Sequence, residues 1–164
     1  MNDLIAIRRA TPADGVLVEG LTRRIWTGRV SLESTVFRET PETVAAQLAR
    51  GGGAILLAGD VPIGSGRWVP VPGPEGDGLW MEVKRIGVLA DWRKRGFGDL
   101  ILKDLEAQGR EAGAAGAQLA VRHDQGRLVD FYAGLGYVLA DDVELTTINH
   151  LSPPPTGMRK RFQD

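Results

Sequence analysis

Between Val88 and Leu100 the chain changes period within a few residues. The apolar run Val88-Leu89-Ala90 breaks at Asp91-Trp92, passes through Arg93-Lys94-Arg95, and resumes as Gly96-Phe97-Gly98-Asp99-Leu100 at the head of a helical pattern. A strand that turns so directly into a helix leaves the helix N-terminus at the strand's end. The first turn of a helix has N–H groups without internal partners, and the macrodipole adds partial positive charge there. Glycine lets an anion approach that backbone. The three cations add formal charge, so the run predicts a site for a di-anion such as a pyrophosphate. The plainer reading is a surface turn with solvated cations. A P-loop needs GxxxxGK[ST], which is absent, and a dinucleotide fingerprint needs a glycine where Ile101 stands.

The rest of the chain supplies a scaffold for that unit. Leu4 to Ile7 reads as a first strand. Thr11-Pro12-Ala13-Asp14 reads as a helix start, with Leu17, Leu21 and Ile25 on one face. Thr27 to Arg38 has no clean period. Thr40-Pro41-Glu42 starts a second helix that faces Val44 and Leu48 inward and stops at Gly51-Gly52-Gly53. Ala54–Ala58 and Val61–Val71 read as a hairpin around Gly59-Asp60, and Pro72–Gly78 as a loop. Leu79–Leu89 is a long strand, Gly96–Gly113 a helix, and Ala117–Val121 a strand. Asp124 is the expected cap of a helix carrying Leu128, Phe131, Tyr132 and Leu135. Tyr137–Ala140 starts another strand, and Gly157–Phe162 is a candidate last one. The order β-α-α-β-β-β-α-β-α-β predicts a mixed sheet covered by helices, in one domain over residues 1–164.

Composition narrows the partners. With 20 basic and 21 acidic residues the net charge is −1, which argues against nucleic acid as the main partner. There are no cysteines and two histidines, so thiolate sites are excluded and no metal is expected. No apolar run approaches the ~20 residues of a membrane span, and the first residues lack a signal-peptide core. The expected compartment is the cytoplasm, with no membrane partner.

These residues resemble the GNAT N-acetyltransferases. Their cofactor motif [RQ]-x-x-G-x-[GA] stands here as Arg93-Lys94-Arg95-Gly96-Phe97-Gly98, after Arg85-Ile86-Gly87-Val88-Leu89-Ala90-Asp91-Trp92. A second family segment, FYxxxGF, is similar to Phe131-Tyr132-Ala133-Gly134-Leu135-Gly136-Tyr137. The resemblance covers nearly the whole chain. It implies a mixed α+β fold of six to seven twisted strands flanked by about four helices, and acetyl-CoA as donor.

It also implies roles for individual residues. The pyrophosphate is expected on Arg95 to Gly98 with Arg93 nearby, which assigns Arg93, Lys94, Arg95, Gly96, Phe97 and Gly98 to the cofactor. The pantetheine arm is expected along Ile86, Gly87 and Val88, with a bulge at Gly87 and a thioester oxygen on the amide of Ile86 or Val88. Glu82 is the candidate base; the alternative is a strand-surface carboxylate paired with Lys84 or Arg85. Tyr132 is the candidate acid for the departing thiolate, or else a packed core ring. Phe131 is expected in the core beside the cofactor. The family's usual asparagine six residues before the tyrosine is replaced by Gly126, so Asp124 or Arg127 is expected to supply that contact. His123 is a secondary candidate base.

The acceptor groove implied by the fold lies between residues 27–38 and 141–155. Glu33, Asp141, Asp142 and Glu144 there would favour a cationic amine, or merely solvate loops. Trp26, Trp68 and Phe37 are candidate apolar walls. The expected activity is acetyl transfer to a primary amine of a small molecule. The alternatives are a peptide or protein acceptor, or an acyl-CoA sensor without turnover. Family members often dimerise, and a last strand would offer an edge for a homodimer.

Overall fold

A computed structural model describes residues 4–163. The elements are β1 (Ile5–Ala10), α1 (Gly15–Trp26), α2 (Pro41–Arg50), β2 (Gly52–Ala58), β3 (Val61–Pro72), β4 (Leu79–Val88), α3 (Phe97–Glu111), β5 (Gly116–Val121), α4 (Arg127–Ala133), β6 (Val138–Leu139) and β7 (Thr156–Arg161). The strands form one mixed sheet in the order β1-β2-β3-β4-β5-β7-β6, the seven-strand, four-helix arrangement that the sequence predicts.

Both early helices begin where their side chains can cap. Asp14 accepts the Thr11 N–H at 2.8 Å and closes a short 3-10 turn before α1. Thr40 and Thr43 exchange backbone-to-side-chain bonds at 2.9 and 3.1 Å ahead of α2. The buried face of α1 is Val18, Leu21, Thr22 and Ile25; Leu17 lies at its rim, one step off the expected stripe. Gly52 and Gly53 belong to β2 instead of ending the helix before it; a Cβ at Gly52 would meet the Gln108 and Trp68 side chains, and one at Gly53 would meet Leu48 and the Gly66 carbonyl.

Two cores flank the sheet. On one face α3 sets Ile101, Leu102 and Leu105 against Leu56, Ile63, Met81 and Val83. On the other, α1 and α2 set Val18, Val44 and Leu48 against Ile55 and Ala10. Such burial stabilises by roughly 25 cal/mol per Å² of apolar surface.

Two departures from regular pairing shape the middle. The parallel ladder between β4 and β5 holds only at Met81–Ala117 and Glu82–Gln118. Beyond Glu82 the strands part, which leaves the β5-facing edge of β4 open. The second departure is a bulge. Ser65 pairs with Gly87, yet Arg67 pairs with Lys84, so β4 carries one extra residue there. That residue is Arg85, with φ 59°, and the bulge therefore sits before Gly87, not on it. The glycine at 87 has a different cause: a Cβ there would lie 2.6 Å from Ile25 Cγ2, so α1 packs on bare backbone. The last strand also differs from expectation. β7 lies between β5 and β6; at this end of the sheet the edge strand is the two-residue β6, which pairs with β7 only at Met158 and Arg159 and exposes Val138 and Leu139.

Candidate active site

Helix α3 starts at the C-terminal end of β4, at the mouth of the gap. Gly96 takes a left-handed φ of 81° at its N-cap, after Lys94 at 64°. No side chain caps this end, and the first turn's backbone bond runs from Leu100 N–H to Gly96 O at 3.3 Å. The amides of Phe97, Gly98 and Asp99 are the helix's spare donors. At Gly98 a Cβ would meet only Phe131 Cζ, at 3.8 Å, so the fold itself does not require glycine. The space it leaves is open.

The cations around this end divide into two kinds. Arg93 donates through Nε to Val88 O at 3.0 Å and through Nη2 to Ile25 O at 3.1 Å. It ties the end of β4 to the end of α1 and is more a strut than the free phosphate ligand expected. Arg95 stacks over Trp92 at 4.9 Å and bonds Asp91 O at 3.1 Å, and Lys94 is exposed. Arg29 comes from the segment without a period and was not foreseen. It stacks on Trp26 at 5.0 Å. Burial first, then repulsion from Arg93 and Arg127, holds its guanidinium below its usual pKa. Arg29, Arg93 and Arg127 thus converge from three elements. Arg24, Thr27–Arg29 and Leu89–Arg93 enclose a cleft of about 620 Å³ there.

Along the gap, Leu89 donates its N–H to Ile63 O on β3 at 2.8 Å. Strand alternation then turns the amide of Val88 toward the gap. The side chains of Ile86 and Val88 pack toward α3, beside Gly66 and Gly64. Helix α4 lies across the gap's end. Phe131 is 38% exposed, so it is not a core residue as expected; it meets the first turn of α3. Tyr132 packs edge-on to Phe131 (centroids 5.1 Å) and to Tyr137 (5.8 Å). Burial pushes its hydroxyl pKa up to about 12, which keeps it protonated. Asp124 does not cap α4: Gly126 holds that position, and Asp124 accepts from Arg122 Nε at 3.2 Å. His123 is exposed on the same loop.

On the α1–α2 face of β3 and β4 lies a buried polar cluster. Glu82, only 3% exposed, accepts from Gln118 Nε2 at 2.9 Å, from Thr146 N–H at 3.1 Å, and from the Thr146 hydroxyl. Lys84 Nζ is 3.6 Å from Glu82 and donates to Thr146 Oγ1 at 2.8 Å and Thr147 Oγ1 at 2.5 Å. Burial, more than any neighbour, lowers the pKa of Lys84. Next to them Arg67 donates through Nη2 to both oxygens of Glu39 at 2.9 Å. Arg85 reaches the same carboxylate at 3.2 Å and Thr35 Oγ1 at 2.9 Å. The bulge is what puts Lys84 and Arg85, consecutive residues, on one face.

The two segments expected to line an acceptor groove do meet over this cluster: Asn149 Nδ2 donates to Glu33 O at 3.0 Å. Their carboxylates do not point inward as a set. Asp142 pairs with Arg159 at 2.7 Å, and Glu33, Asp141 and Glu144 are exposed. Trp68 is on the opposite face, bonded to Gln108 at 3.1 Å, so it is no wall of this site. Arg67, Glu39, Gln118, Thr146 and Thr147 were not singled out from sequence. The available signal was weak: Ser65 and Arg67 alternate through an apolar strand, as Glu82 and Lys84 do through its partner. Among the described residues no group of three or more His, Cys, Asp or Glu side chains is placed to hold a metal ion. No helix there is long and apolar enough to cross a membrane.

Comparison with known proteins bears on the family and the fold. Residues 22–137 match the model of the acetyltransferase (GNAT) family. The chain is 32% identical over 90 residues to the uncharacterized N-acetyltransferase YjcF of Bacillus subtilis (strain 168), covering 55% of this chain and 58% of that relative's length. Among solved structures it is similar to the PaiA N-acetyltransferase of Thermoplasma acidophilum in complex with coenzyme A. There the TM-score is 0.73 and the identity 16%, over 97% of this chain and 99% of that one. It is also similar to Arabidopsis thaliana Naa50 in complex with a bisubstrate analogue, CoA-Ac-MVNAL. That TM-score is 0.72 at 16% identity, over 96% and 99%.

Proposed function

The chain belongs to the acetyltransferase (GNAT) family, and from that premise we propose that it transfers an acetyl group from acetyl-CoA to the amine of a small molecule. The observation that carries this reading is the parted β4–β5 edge. It has an uncapped helix N-terminus and converging arginines at one end, and a buried carboxylate at the other. The open space at Gly98 fits a phosphate that must reach backbone amides.

The phosphates would be held by the amides of Phe97, Gly98 and Asp99, with Arg29, Arg127 and Lys94 adding charge. Arg93 holds the rim in place. Bound acetyl-CoA supplies a thioester: a C–N bond forms to the acceptor as the C–S bond breaks, and the departing thiolate takes up a proton. The Val88 amide faces the gap and is placed to donate to a developing oxyanion.

Two proton movements fall to this chain. An alkyl ammonium has a pKa of about 10.4, so the acceptor must surrender a proton to attack. Glu82 is the carboxylate at hand. Its oxygens are bonded, so the proton reaches it through the Thr146 hydroxyl or a water. Tyr132 is the acid. Its desolvated phenol has a proton to give and no hydrogen-bond partner among the described residues. The Asn149–Glu33 bond, which ties the two segments together over the polar cluster, supports a small acceptor over a peptide.

Kinetics of Tyr132→Phe test the assignment. Thiol release from acetyl-CoA with an accepted amine should fall by roughly 10²–10⁴-fold in kcat, with CoA affinity retained. Unchanged turnover removes Tyr132 from the chemistry.

A further inference from the structure

The polar cluster under α1 is out of balance in charge and in hydrogen bonding. Arg67, Arg85 and Lys84 stand against Glu39 and Glu82, three cations to two carboxylates. Glu19 also acts on Arg67 electrostatically, but it is paired to Arg23 at 2.9 Å. Arg67 is 0% exposed, and its Nε and Nη1 have no hydrogen-bond partner. A guanidinium so placed lacks both water and a full set of acceptors, which is costly unless something else supplies them.

Two more orphaned donors lie on the same face. Ser65 sits two residues from Arg67 on β3, opposite Gly87, and its buried Oγ has no partner. The Trp26 ring lies 3.5 Å from where a Gly87 Cβ would be, and its buried Nε1 has no partner either. Every unmet group here can donate, and the surplus charge is positive. The backbone is also strained to this end. Arg85 is a non-glycine residue at φ 59°, a left-handed conformation that an L side chain disfavours. In exchange its side chain joins Arg67 around Glu39 on the acceptor side, not the α3 core.

We propose that the acceptor carries a carboxylate as well as its amine, and that Arg67, with Arg85 held beside it by Glu39, binds that carboxylate. This rests on the acetyl-transfer reading above and adds the class of acceptor to it. A polycation such as a polyamine is disfavoured by the surplus charge. One anionic group balances it. The amine of the same molecule is then presented between Glu82 and the gap. The C–N and C–S bond changes and both proton transfers are those already given; the carboxylate takes no part in them beyond anchoring.

The test compares each L-amino acid with its carboxamide and its decarboxylated amine. CoA release from acetyl-CoA and calorimetric binding to enzyme saturated with CoA are read side by side. At least one free acid should exceed its carboxamide by about a hundredfold or more in kcat/KM, and should bind where the carboxamide does not. Arg67→Met should erase that ratio while CoA still binds. Arg67→Lys, which keeps the charge, should restore part of it. Carboxamides or decarboxylated amines used as well as the acids would overturn the carboxylate assignment and leave acetyl transfer standing. An Arg67→Met variant that folds and keeps the wild-type preference would overturn it as well. No release with any amine would overturn both readings.

Discussion

Gly98 is a glycine that the packing of the fold does not require. Its backbone is ordinary helix, and a Cβ there would meet nothing closer than Phe131 Cζ at 3.8 Å. Gly98→Glu should therefore leave the fold intact. A carboxylate in the first turn even suits the helix dipole. The same carboxylate would repel a pyrophosphate. We expect calorimetry to find CoA binding abolished and a thermal midpoint equal to wild type or slightly above it; retained affinity would remove α3 as the phosphate site. Legibility at this scale follows the origin of each signal. Gly96, Gly98 and Tyr132 were readable as candidates because short local motifs carry them. Arg67 and Glu39 were not, because they meet across 28 residues of sequence and only the fold joins them. Arg93 was readable as a cation, but its two carbonyl partners come from β4 and α1, which the motif does not encode.

At the scale of elements, the bulge and the parted ladder of β4 do most to build the site. The bulge was expected at Gly87 because glycine tolerates such geometry. It falls instead at Arg85, and Gly87 serves the packing of α1. Gly87→Ala should cost about 1–3 kcal/mol, since Ile25 is buried and has to yield. Denaturant unfolding checks this, and an unchanged midpoint would mean that α1 is free to shift. Helix α4 shows the limit of cap signals. Asp124 precedes an apolar helical stripe, as a cap should, yet tight backbone turns at Gln125 and Leu128 delay the helix to Arg127. The strand at Tyr137 shortens to β6 because only Val138 and Leu139 reach register with β7.

For the whole molecule, element order carried nearly the entire topology, since hairpins and strand–helix–strand passages leave few arrangements open. It missed the place of the last strand, which inserts between β5 and β6 and is paired with β6 at Met158 and Arg159. Two phenols, Tyr137 buried and Tyr132 partly buried, make the fold sensitive to alkaline pH. Tyr132 is pushed up to about 12 by burial, and Tyr137 is raised further by burial and by Glu106, which accepts its hydroxyl at 2.8 Å. A free tyrosine ionises near pH 10. Both groups therefore bind protons more tightly when folded, so their contribution to stability should be constant below about pH 10 and be lost as pH rises above it. Tyr132→Phe should soften that loss, and urea unfolding across this range would measure it.

We propose that the gap between β4 and β5 serves transfer, not mere capture, of an acetyl group. The most direct test is CoA thiol release by the wild-type protein with acetyl-CoA, measured with and without each amine of a broad panel that includes peptides. The account predicts release that depends on a small amine and yields its N-acetyl product. Tight CoA binding with no amine-dependent release, or release with peptides alone, would contradict it.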